Sequence, residues 1–444
     1  MTDLYAKHID NKMAVYREVF DITPWRKVII HAGSEHVQFR DDVHYPFKAN
    51  PYFKEWLPLA DYPDAYLVIE ADQSLPRLLV KQVEDFWHSP AQPPAAAIVE
   101  AFDIAHYSSG AQLQAGLGID AATVVIAEGG DDIARQLQRP EQHNNTEVLH
   151  IVDYHRACKS DYEIDCMSEA NRIAVRGHRA AAAAFHEGGS EYAIHQAYLA
   201  ATEHTENELP YGNICALNEH AAVLHHMHLN KTPPAERRSF LIDAGATCAG
   251  YAADITRSYQ TDGPLQDPDF AALLAGIDAY QQQLVQRCRV GMDYLDLHLS
   301  MHTLLTRLLC EMGVFKLEPE AALARGLSRA FCPHGLGHLI GIQVHDRGGH
   351  QCDRQGQLRP PPQEHSFLRC TRTLAEGMVV TVEPGAYFIP SLLQPLRQSQ
   401  PQAIDWSLVD KLAPFGGVRI EDDVLVTAAA PRNFTREAFA ALVD

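Results

Sequence analysis

Four carboxylates and one imidazole, in distant parts of the sequence, could together bind metal ions. They are Asp243, Asp254, His338, Glu383 and Glu421. Each carboxylate lies in or beside an apolar run, where a buried negative charge needs a positive partner or is neutralised by a shift of its pKa. One imidazole among carboxylates suits Mn²⁺, Co²⁺ or Zn²⁺ better than a soft metal. Four carboxylates exceed the needs of one cation, so the set predicts two dications about 3.5 to 4 Å apart.

Short strands must position these side chains. The segment 240–260 predicts a β-hairpin, because two short apolar runs flank a turn rich in glycine, and its two strands carry Asp243 and Asp254. The apolar segments VVTVEPG and GGVRIEDDVLV predict further strands, which carry Glu383 and Glu421. We therefore expect a sheet in which distant strands bring their acidic side chains together.

The order and spacing of these ligands, with the strings GHLIGIQVHD, TVEPG and GVRIEDD, resemble the metallopeptidases of the pita-bread fold. That family includes methionine aminopeptidases, aminopeptidase P and prolidases. The strings YGNICALNEHAAVLHH, IDWSLVDKLAPFGGVRIED and YPFKANPYFKEWLP are similar to the bacterial Xaa-Pro dipeptidases, whose close relatives include the organophosphorus acid anhydrolases. The resemblance spans nearly the whole chain.

The resemblance implies hydrolysis of dipeptides that end in proline. Two metals would lower the pKa of a bridging water to about 7, and the resulting hydroxide would attack the scissile carbonyl. Glu383 is expected to be the general base. His345 is expected to stabilise the tetrahedral intermediate or to protonate the prolyl nitrogen. His334 is placed in the catalytic pocket, with hydrogen bonding behind the ligands as the alternative.

Further residues are assigned to substrate binding. Arg369 would bind the dipeptide carboxylate, since a guanidinium pairs bidentately with a planar carboxylate. Arg419 would orient ligands or substrate, with a salt bridge inside the sheet as the alternative. His225 and Tyr211 resemble pocket-lining residues of the bacterial enzymes. By the same resemblance Asp42 would contact the free amine of the substrate, with turn capping as the alternative.

The chain is long for one core, since it has 444 residues, so two domains are predicted. Residues 1–158 are predicted to form an α/β domain, which in similar enzymes contributes to the dimer and closes the pocket. Its predicted strands are VIIHAG, AYLVIEA, RLLVKQV, AAAIVEAF and ATVVIAEGG. Residues 159–444 are predicted to form an α+β, pita-bread (creatinase/aminopeptidase-like) catalytic domain.

Local signals mark the start of the second domain. Ser160 and Glu163 have capping-box spacing and predict a helix that runs through the alanines 180–184, and a second helix is predicted from Ser190 to about residue 204. The segments 353–366 and 391–402 are rich in proline and glutamine and are predicted to be surface loops.

Composition excludes several classes of protein. The net charge of −20 argues against a nucleic-acid backbone as partner. No stretch approaches the apolar length of a membrane span, and the charged amino terminus lacks the pattern of a signal peptide. The nine cysteines, an odd number without metal-site spacing, favour reduced thiols. These features predict a cytoplasmic protein, and the resemblance adds a homodimer.

Three alternatives stay open at this point. Aminopeptidase P shares the ligand set but accepts longer peptides. A pita-bread binding protein that has lost catalysis would need no complete ligand set. Promiscuous hydrolysis of organophosphate triesters could accompany the dipeptidase activity. Mn²⁺ is the first choice for the two divalent ions, with Co²⁺ or Zn²⁺ as alternatives, because the ligand set admits several metals.

Overall fold

A computed structural model describes residues 2–58, 62–82, 96–129, 133 and 137–442. The chain divides into two compact units. The first comprises Met1–Arg156, Ser160–Asp165 and Asp353–Gln357, and the second comprises Ala157–Lys159, Cys166–Cys352 and Leu358–Asp444.

The first unit is built on one mixed sheet. Its helices are α1 (Thr2–Ile22), α2 (Pro51–Lys54), α3 (Ala96–Ala101), α4 (Gly110–Leu117) and α5 (Thr146–Arg156), and its strands are β1 (Lys27–His31), β2 (Tyr66–Glu70), β3 (Arg77–Lys81), β4 (Asp103–Tyr107) and β5 (Thr123–Ile126). The strand order is β4-β3-β2-β1-β5. The pairs β1–β5 and β3–β4 are parallel, and the others are antiparallel. Helices and a partly parallel sheet are the α/β character predicted for this part of the chain.

One predicted strand of this unit is wrong. The string AAAIVEAF was predicted as a strand, but most of its described residues form α3, which ends at Ala101, one residue before Phe102. Alanine and glutamate favour helix, and this propensity outweighs the short apolar run. The strand β4 follows directly and was not predicted, because its sequence DIAHY mixes polar and apolar residues without clear alternation. The other four predicted strands are present as β1, β2, β3 and β5.

The second unit combines helices with several small sheets. Its helices are α6 (Asp161–His186, of which the part from Cys166 belongs here), α7 (Glu191–Thr202), α8 (Pro268–Val285), α9 (Tyr294–Glu311), α10 (Pro319–Ala324), α11 (Pro390–Ser399), α12 (Trp406–Leu412) and α13 (Phe434–Ala441). Its strands are β6 (Ile214–Leu217), β7 (Ser239–Asp243), β8 (Thr247–Cys248), β9 (Tyr251–Ala252), β10 (Thr256–Gln260), β11 (Val379–Val382), β12 (Gly385–Tyr387), β13 (Gly417–Arg419), β14 (Asp422–Leu425) and β15 (Arg432–Asn433). The sheet orders are β10-β7-β6, β11-β14-β15, β12-β13 and β8-β9.

The helix predictions for this part of the chain are confirmed. The Ser160 amide donates to Glu163 Oε2 at 2.8 Å, and the Glu163 amide donates to Ser160 Oγ at 3.4 Å, which completes the capping box of α6. The Ser190 hydroxyl accepts from the amide of Ala193 and caps α7. The segment 391–402 was predicted as a loop, but most of it forms α11. Proline at the first helical position is compatible with a helix start, which the compositional argument did not consider.

A large apolar core supports the strands that carry the predicted ligands. From α9, Leu297, Met301, Leu305 and Leu309 recur at every fourth position and are fully buried. They share one cluster with buried residues of β11 and β14, among them Val380 and Val424. Burying each such side chain stabilises the fold by about 1.5 to 3 kcal/mol. The core therefore fixes the backbone from which the acidic residues project.

Two further observations bear on the class of protein. None of the nine cysteines, all of which lie in the described part of the chain, is joined in a disulfide. Within the described residues, no helix combines the length and the apolar character that crossing a bilayer requires.

Candidate metal centre

The first two predicted ligands come from neighbouring strands. Strands β7 and β10 pair antiparallel, with Thr256 opposite Asp243. The predicted pairing is confirmed, but the connection is longer than a tight hairpin turn because β8 and β9 form a small sheet within it. Asp254 lies just before β10 instead of within a strand. Both carboxylates therefore project from the same end of this strand pair.

Backbone hydrogen bonds bring the other ligand segments to this place. The amide of Glu421 donates to the carbonyl of Thr256 at 3.0 Å. The amide of Thr381, in β11, donates to the carbonyl of His338 at 2.9 Å, and the amide of Glu383 donates to the carbonyl of Leu336 at 2.8 Å. Backbone hydrogen bonds thus hold the Glu421 segment beside β10, which follows Asp254, and the His338 segment beside β11, which precedes Glu383.

A glycine makes the approach of the His338 segment to β11 possible. A Cβ atom at Gly337 would collide with the carbonyl oxygen of Thr381 and with the hydroxyl of Tyr294. Only glycine lets two backbones come this close. The glycines of the string PHGLGH therefore serve to place His338 on the sheet.

The ligand atoms converge around the His338 imidazole. One ligand atom each from Asp254, His338 and Glu421 lies within 4.8 Å of the others. His338 Nε2 is 3.5 Å from Asp254 Oδ2 and 3.8 Å from Glu383 Oε1. His338 Nδ1 is 3.0 Å from the carbonyl oxygen of Leu339 and donates its proton there, which directs Nε2 at the carboxylates.

Asp243 joins this group through a buried arginine. Arg419 Nη2 donates to Asp243 Oδ2 at 2.6 Å, and the same guanidinium donates to Thr256 Oγ1 at 3.1 Å and to the Tyr387 hydroxyl at 3.0 Å. Asp243 Oδ1 is buried, and no hydrogen-bond partner for it is found among the described residues. The arrangement leaves one carboxylate oxygen of Asp243 available to a ligand.

The acidic side chains have more negative charge than the protein neutralises. Burial raises the pKa of Glu383 to about 7, although His338 opposes the shift. Burial, then Asp254 and Glu383, raise the pKa of Glu421 well above its ordinary value. Burial also raises the pKa of Asp243, against the effect of Arg419. Buried carboxylates that repel one another, with an unpartnered oxygen among them, fit a site for divalent cations.

Asp254 is the best-partnered member of the group. The hydroxyl of Tyr211 donates to Asp254 Oδ1 at 2.5 Å, and the Asp254 amide donates to Asp423 Oδ2 at 3.0 Å. Although burial alone would raise the pKa of Asp254, the hydrogen bonds with His338 and Tyr211 and the charges of His338 and His345 together outweigh it, and the pKa is lowered. The carboxylate is therefore ionised, as a metal ligand must be.

The predicted catalytic histidines lie beside this group. The rings of His338 and His345 have centroids 4.5 Å apart. Burial, then His338 and Arg369, lower the pKa of His345 to about 4. His334 Nε2 is 2.8 Å from the Tyr387 hydroxyl, and burial followed by the charge of Arg419 lowers the pKa of His334 to about 4. Both imidazoles are neutral at pH 7.

The remaining predicted residues differ in how far the structure associates them with this group. Tyr211 contacts Asp254, and Arg419 contacts Asp243. Arg369 and His225 are exposed, and both act electrostatically on His345. Asp42 is an exposed residue of the first unit, and its amide donates to Asp41 Oδ1.

Sequence reasoning missed three polar residues that hold the ligands in place. The Thr256 hydroxyl donates to Glu421 Oε2 at 2.6 Å, Tyr387 contacts both Arg419 and His334, and Asp423 accepts from the Asp254 amide. Two acidic residues directly after Glu421 were a signal for Asp423. Thr256 and Tyr387 had no such signal, because a hydroxyl in a strand is ordinary.

Comparison with known proteins places the chain among relatives over nearly its full length. The model of metallopeptidase family M24 matches residues 165–428, and that of the Xaa-Pro dipeptidase N-terminal domain matches residues 3–154. A Xaa-Pro dipeptidase of Shewanella frigidimarina is 44% identical over 98% of both chains. One of Xanthomonas axonopodis pv. citri is 43% identical over 99% of both.

Solved structures agree on the fold. The low-pH form of aminopeptidase P from Escherichia coli superposes with a TM-score of 0.74, at 22% identity, over 99% of this chain and 96% of that one. A zinc-substituted form of the same enzyme in complex with product gives a TM-score of 0.74 at 23% identity, again over 99% and 96%. These likenesses show the pita-bread fold, which follows an amino-terminal domain in the sequence, as predicted. The chain belongs to metallopeptidase family M24 and, within it, to the sequence family of the bacterial Xaa-Pro dipeptidases.

Proposed function

We propose that this protein is a metallo-dipeptidase that hydrolyses Xaa-Pro dipeptides with two divalent metal ions. The observation that carries the proposal is the convergence of buried carboxylates around His338, with one oxygen of Asp243 that has no hydrogen-bond partner among the described residues. The names of relatives about 43% identical over the full length supply the substrate class.

Five side chains would hold the two ions: Asp243, Asp254, His338, Glu383 and Glu421. Mn²⁺ is the first choice, since an oxygen-rich set suits a hard cation, and Co²⁺ or Zn²⁺ would also fit. When bound, the ions would supply an activated water at neutral pH and polarise the scissile carbonyl. Because each carboxylate would be a ligand, removal of any one of them should weaken metal binding.

The chain's own residues would move the protons and hold the substrate. Glu383 Oε1 lies 3.8 Å from His338 Nε2, among the side chains that would hold the ions, and its carboxylate would take the proton of the attacking water. His345 is neutral at pH 7 and lies against His338, where it could hydrogen-bond to the reacting carbonyl or pass a proton to the prolyl nitrogen. His334 contacts the Tyr387 hydroxyl through Nε2, and its Nδ1 is 3.6 Å from Glu383 Oε2. It would keep the Glu383 carboxylate in position.

Substrate binding would fall to residues around this centre. Arg369 is exposed and close enough to His345 to lower its pKa, so it could pair with the carboxylate of a dipeptide. Arg419 would hold Asp243, while His225 and Tyr211 would line the pocket. Asp42 is proposed for the substrate amine on the resemblance alone. A homodimer and a cytoplasmic location belong to the same proposal and rest on the likeness to bacterial dipeptidases.

The test compares a dipeptide with a tripeptide. Purified protein with Mn²⁺ should release proline from Ala-Pro and should leave Ala-Pro-Ala almost uncut, because the tripeptide places its carboxylate beyond the reach of Arg369. The variant Arg369→Met should raise KM for Ala-Pro about tenfold or more and leave the metal content unchanged, since a charge-assisted hydrogen bond contributes about 1.5 to 3 kcal/mol.

Comparable cleavage of both peptides would instead indicate an aminopeptidase P activity. Absence of bound metal together with absence of cleavage would indicate a binding protein. Asp243→Asn is the matched inactive control, because it removes one ligand and keeps the shape of the side chain.

A further inference from the structure

Three histidines form a second cluster in the same unit, outside the carboxylate centre. His298 and His302 are four residues apart on α9, so they share one face of the helix. His365 ends the short helical turn Gln363–His365. One ring nitrogen of each histidine lies within 4.8 Å of the others. No metal ligand or catalytic residue proposed above belongs to this cluster.

The hydrogen bonds of the cluster leave ring nitrogens free for a ligand. His302 Nδ1 is 3.1 Å from Ser328 Oγ, so His302 Nε2 is the ring nitrogen that this hydrogen bond does not use. His298 Nε2 and His365 Nδ1 are 2.9 Å apart, so one of them donates and the other accepts. His298 Nδ1 is buried, and no hydrogen-bond partner for it is found among the described residues. The described residues therefore do not satisfy the His298 imidazole completely.

All three imidazoles are in the form that binds cations. Burial, followed by the charges of neighbouring histidines, lowers the pKa of His298 to about 2 and that of His302 to about 3. Burial also lowers the pKa of His365. The rings are neutral at pH 7, so a metal ion would not have to compete with protonation of the imidazoles.

A cavity of about 110 Å³ borders the three histidines. It is lined also by Arg329 and Glu364, whose formal charges cancel, and by His334 of the proposed catalytic residues. A space of this size can hold an ion together with a water molecule. The three histidine side chains thus border a space that can accept an ion.

We infer that His298, His302 and His365 form a third cation site, suited to a borderline divalent ion such as Zn²⁺. Imidazole ligands favour Zn²⁺, whereas the carboxylate-rich centre also suits Mn²⁺. Three protein ligands leave one position for water, on the side of the cavity. Ser328 would fix the tautomer of His302, as outer hydrogen-bond partners of metal ligands do.

A third group with suitable residue types does not support the same inference. Glu191 lies near His220 and His226, but its carboxylate already accepts from the His220 imidazole and from the amides of Leu217 and Asn230. Its oxygens are satisfied by the protein, and its pKa is lowered by these hydrogen bonds despite burial. Hydrogen bonding accounts for the carboxylate of that group without a metal, and His226 Nε2 lies 3.2 Å from Glu191 Oε2.

Occupancy of the histidine site would join two separate pieces of chain. It would link α9 to the turn Gln363–His365, which comes shortly before Arg369 in the sequence. The inference does not depend on the proposed peptidase activity, because it concerns other side chains and a different ligand chemistry.

The test measures zinc in protein that already carries manganese. Protein saturated with Mn²⁺ is equilibrated with Zn²⁺ and freed of unbound metal, and both metals are counted per chain. We expect the wild type to retain one more Zn²⁺ per chain than His365→Gln. The variant should bind this zinc at least about tenfold more weakly, because loss of even an outer-shell partner costs that much. His186→Gln is the matched control, since His186 is exposed and lies at the end of α6.

The environment of the zinc provides an independent readout. X-ray absorption at the zinc edge should show imidazole nitrogens around the additional ion in the wild type. Equal zinc in wild type and His365→Gln, or zinc that only replaces manganese among carboxylate oxygens, would overturn the inference. His365 is partly exposed on a turn, so its substitution should not prevent folding, and the absorption spectrum of the wild type decides the matter without any variant.

Discussion

Glu421 and Asp422 are consecutive buried carboxylates with opposite electrostatic situations. Asp422 accepts from Arg257 Nη2 at 2.6 Å and from Arg436 Nε at 2.9 Å. The side-chain amides of Gln281 and Asn433 also donate to it, at 2.9 and 2.7 Å. Despite burial, the arginine charges and these hydrogen bonds lower the pKa of Asp422 to about 2.

Glu421 directly precedes β14, the strand that begins at Asp422, and there the positive charge is insufficient. The Thr256 hydroxyl donates to Glu421, and the charge of Arg419 acts on it. Burial, then Asp254 and Glu383, outweigh them and raise the pKa of Glu421. The difference teaches that burial of an acid does not by itself indicate function. What matters is whether the protein supplies the compensating charge or leaves it to a ligand.

The largest expected difference between the two residues is in catalysis. Glu421→Gln should lower kcat/KM for Ala-Pro by more than about 100-fold and reduce the bound metal below two ions per chain, because loss of a ligand exceeds the effect of losing an outer partner. Asp422→Asn should keep both ions and most of the activity. Kinetics and elemental analysis of the two variants check this, and equal losses in both would contradict the comparison.

The second difference is in the stability of the metal-free protein. Asp422→Asn should lower the free energy of unfolding by about 3 to 5 kcal/mol, because it leaves two arginines without their buried partner. Glu421→Gln should leave the free energy unchanged or raise it, since it removes a repelling charge. Urea unfolding after treatment with a chelator measures both values. A loss of stability in Glu421→Gln as large as that in Asp422→Asn would show that Glu421 is compensated within the protein.

The smallest effect is a dependence of stability on pH. The pKa of Glu383 in the folded, metal-free protein is about 7, above its ordinary value of 4.5, so its stabilising contribution is present below pH 4.5 and lost as the pH rises through 7. For Asp422 the pKa is lowered, so its contribution is present above pH 3.8 and lost as the pH falls toward 2.

We therefore expect the free energy of unfolding of the metal-free protein to fall between pH 5 and pH 8, and saturating Mn²⁺ to abolish the fall. Urea titrations across this range measure it. Glu383→Gln is the matched control and should make the fall shallower without metal, since the raised pKa values of Glu421 and Asp243 remain. A metal-free protein that becomes more stable toward pH 8 would contradict the electrostatic assignment.

The sequence was sufficient for the ligand segments but not for their contacts. Apolar strands that end in acidic residues predicted which side chains to examine, because a buried charge must be compensated. The bridge between Thr256 and Glu421 could not be predicted, since strand pairing between distant segments leaves no local pattern. For the same reason the histidine cluster was missed: His365 is remote in sequence from α9, and a single buried histidine resembles an ordinary core residue.

In the amino-terminal part, a short apolar run misled the interpretation of AAAIVEAF. A short apolar run fits a buried strand or a helix equally well, and neither its length nor its flanks separate the two. The adjacent β4 is a strand that its own composition does not predict. Its pairing with β3 makes it a strand.

The first three residues of the second unit are Ala157–Lys159. The next residues, Ser160–Asp165, belong to the first unit again. Lys159 Nζ lies 2.8 Å from Asp346 Oδ2, both side chains are almost fully buried, and the Lys159 amide donates to the carbonyl of Gly377. Asp346 directly follows His345 in the sequence. A shortened catalytic fragment that starts at Cys166 would lose this ammonium next to a residue of the proposed reaction. A shortened protein for crystallisation or engineering of the catalytic half should therefore retain the chain from Ala157 onward.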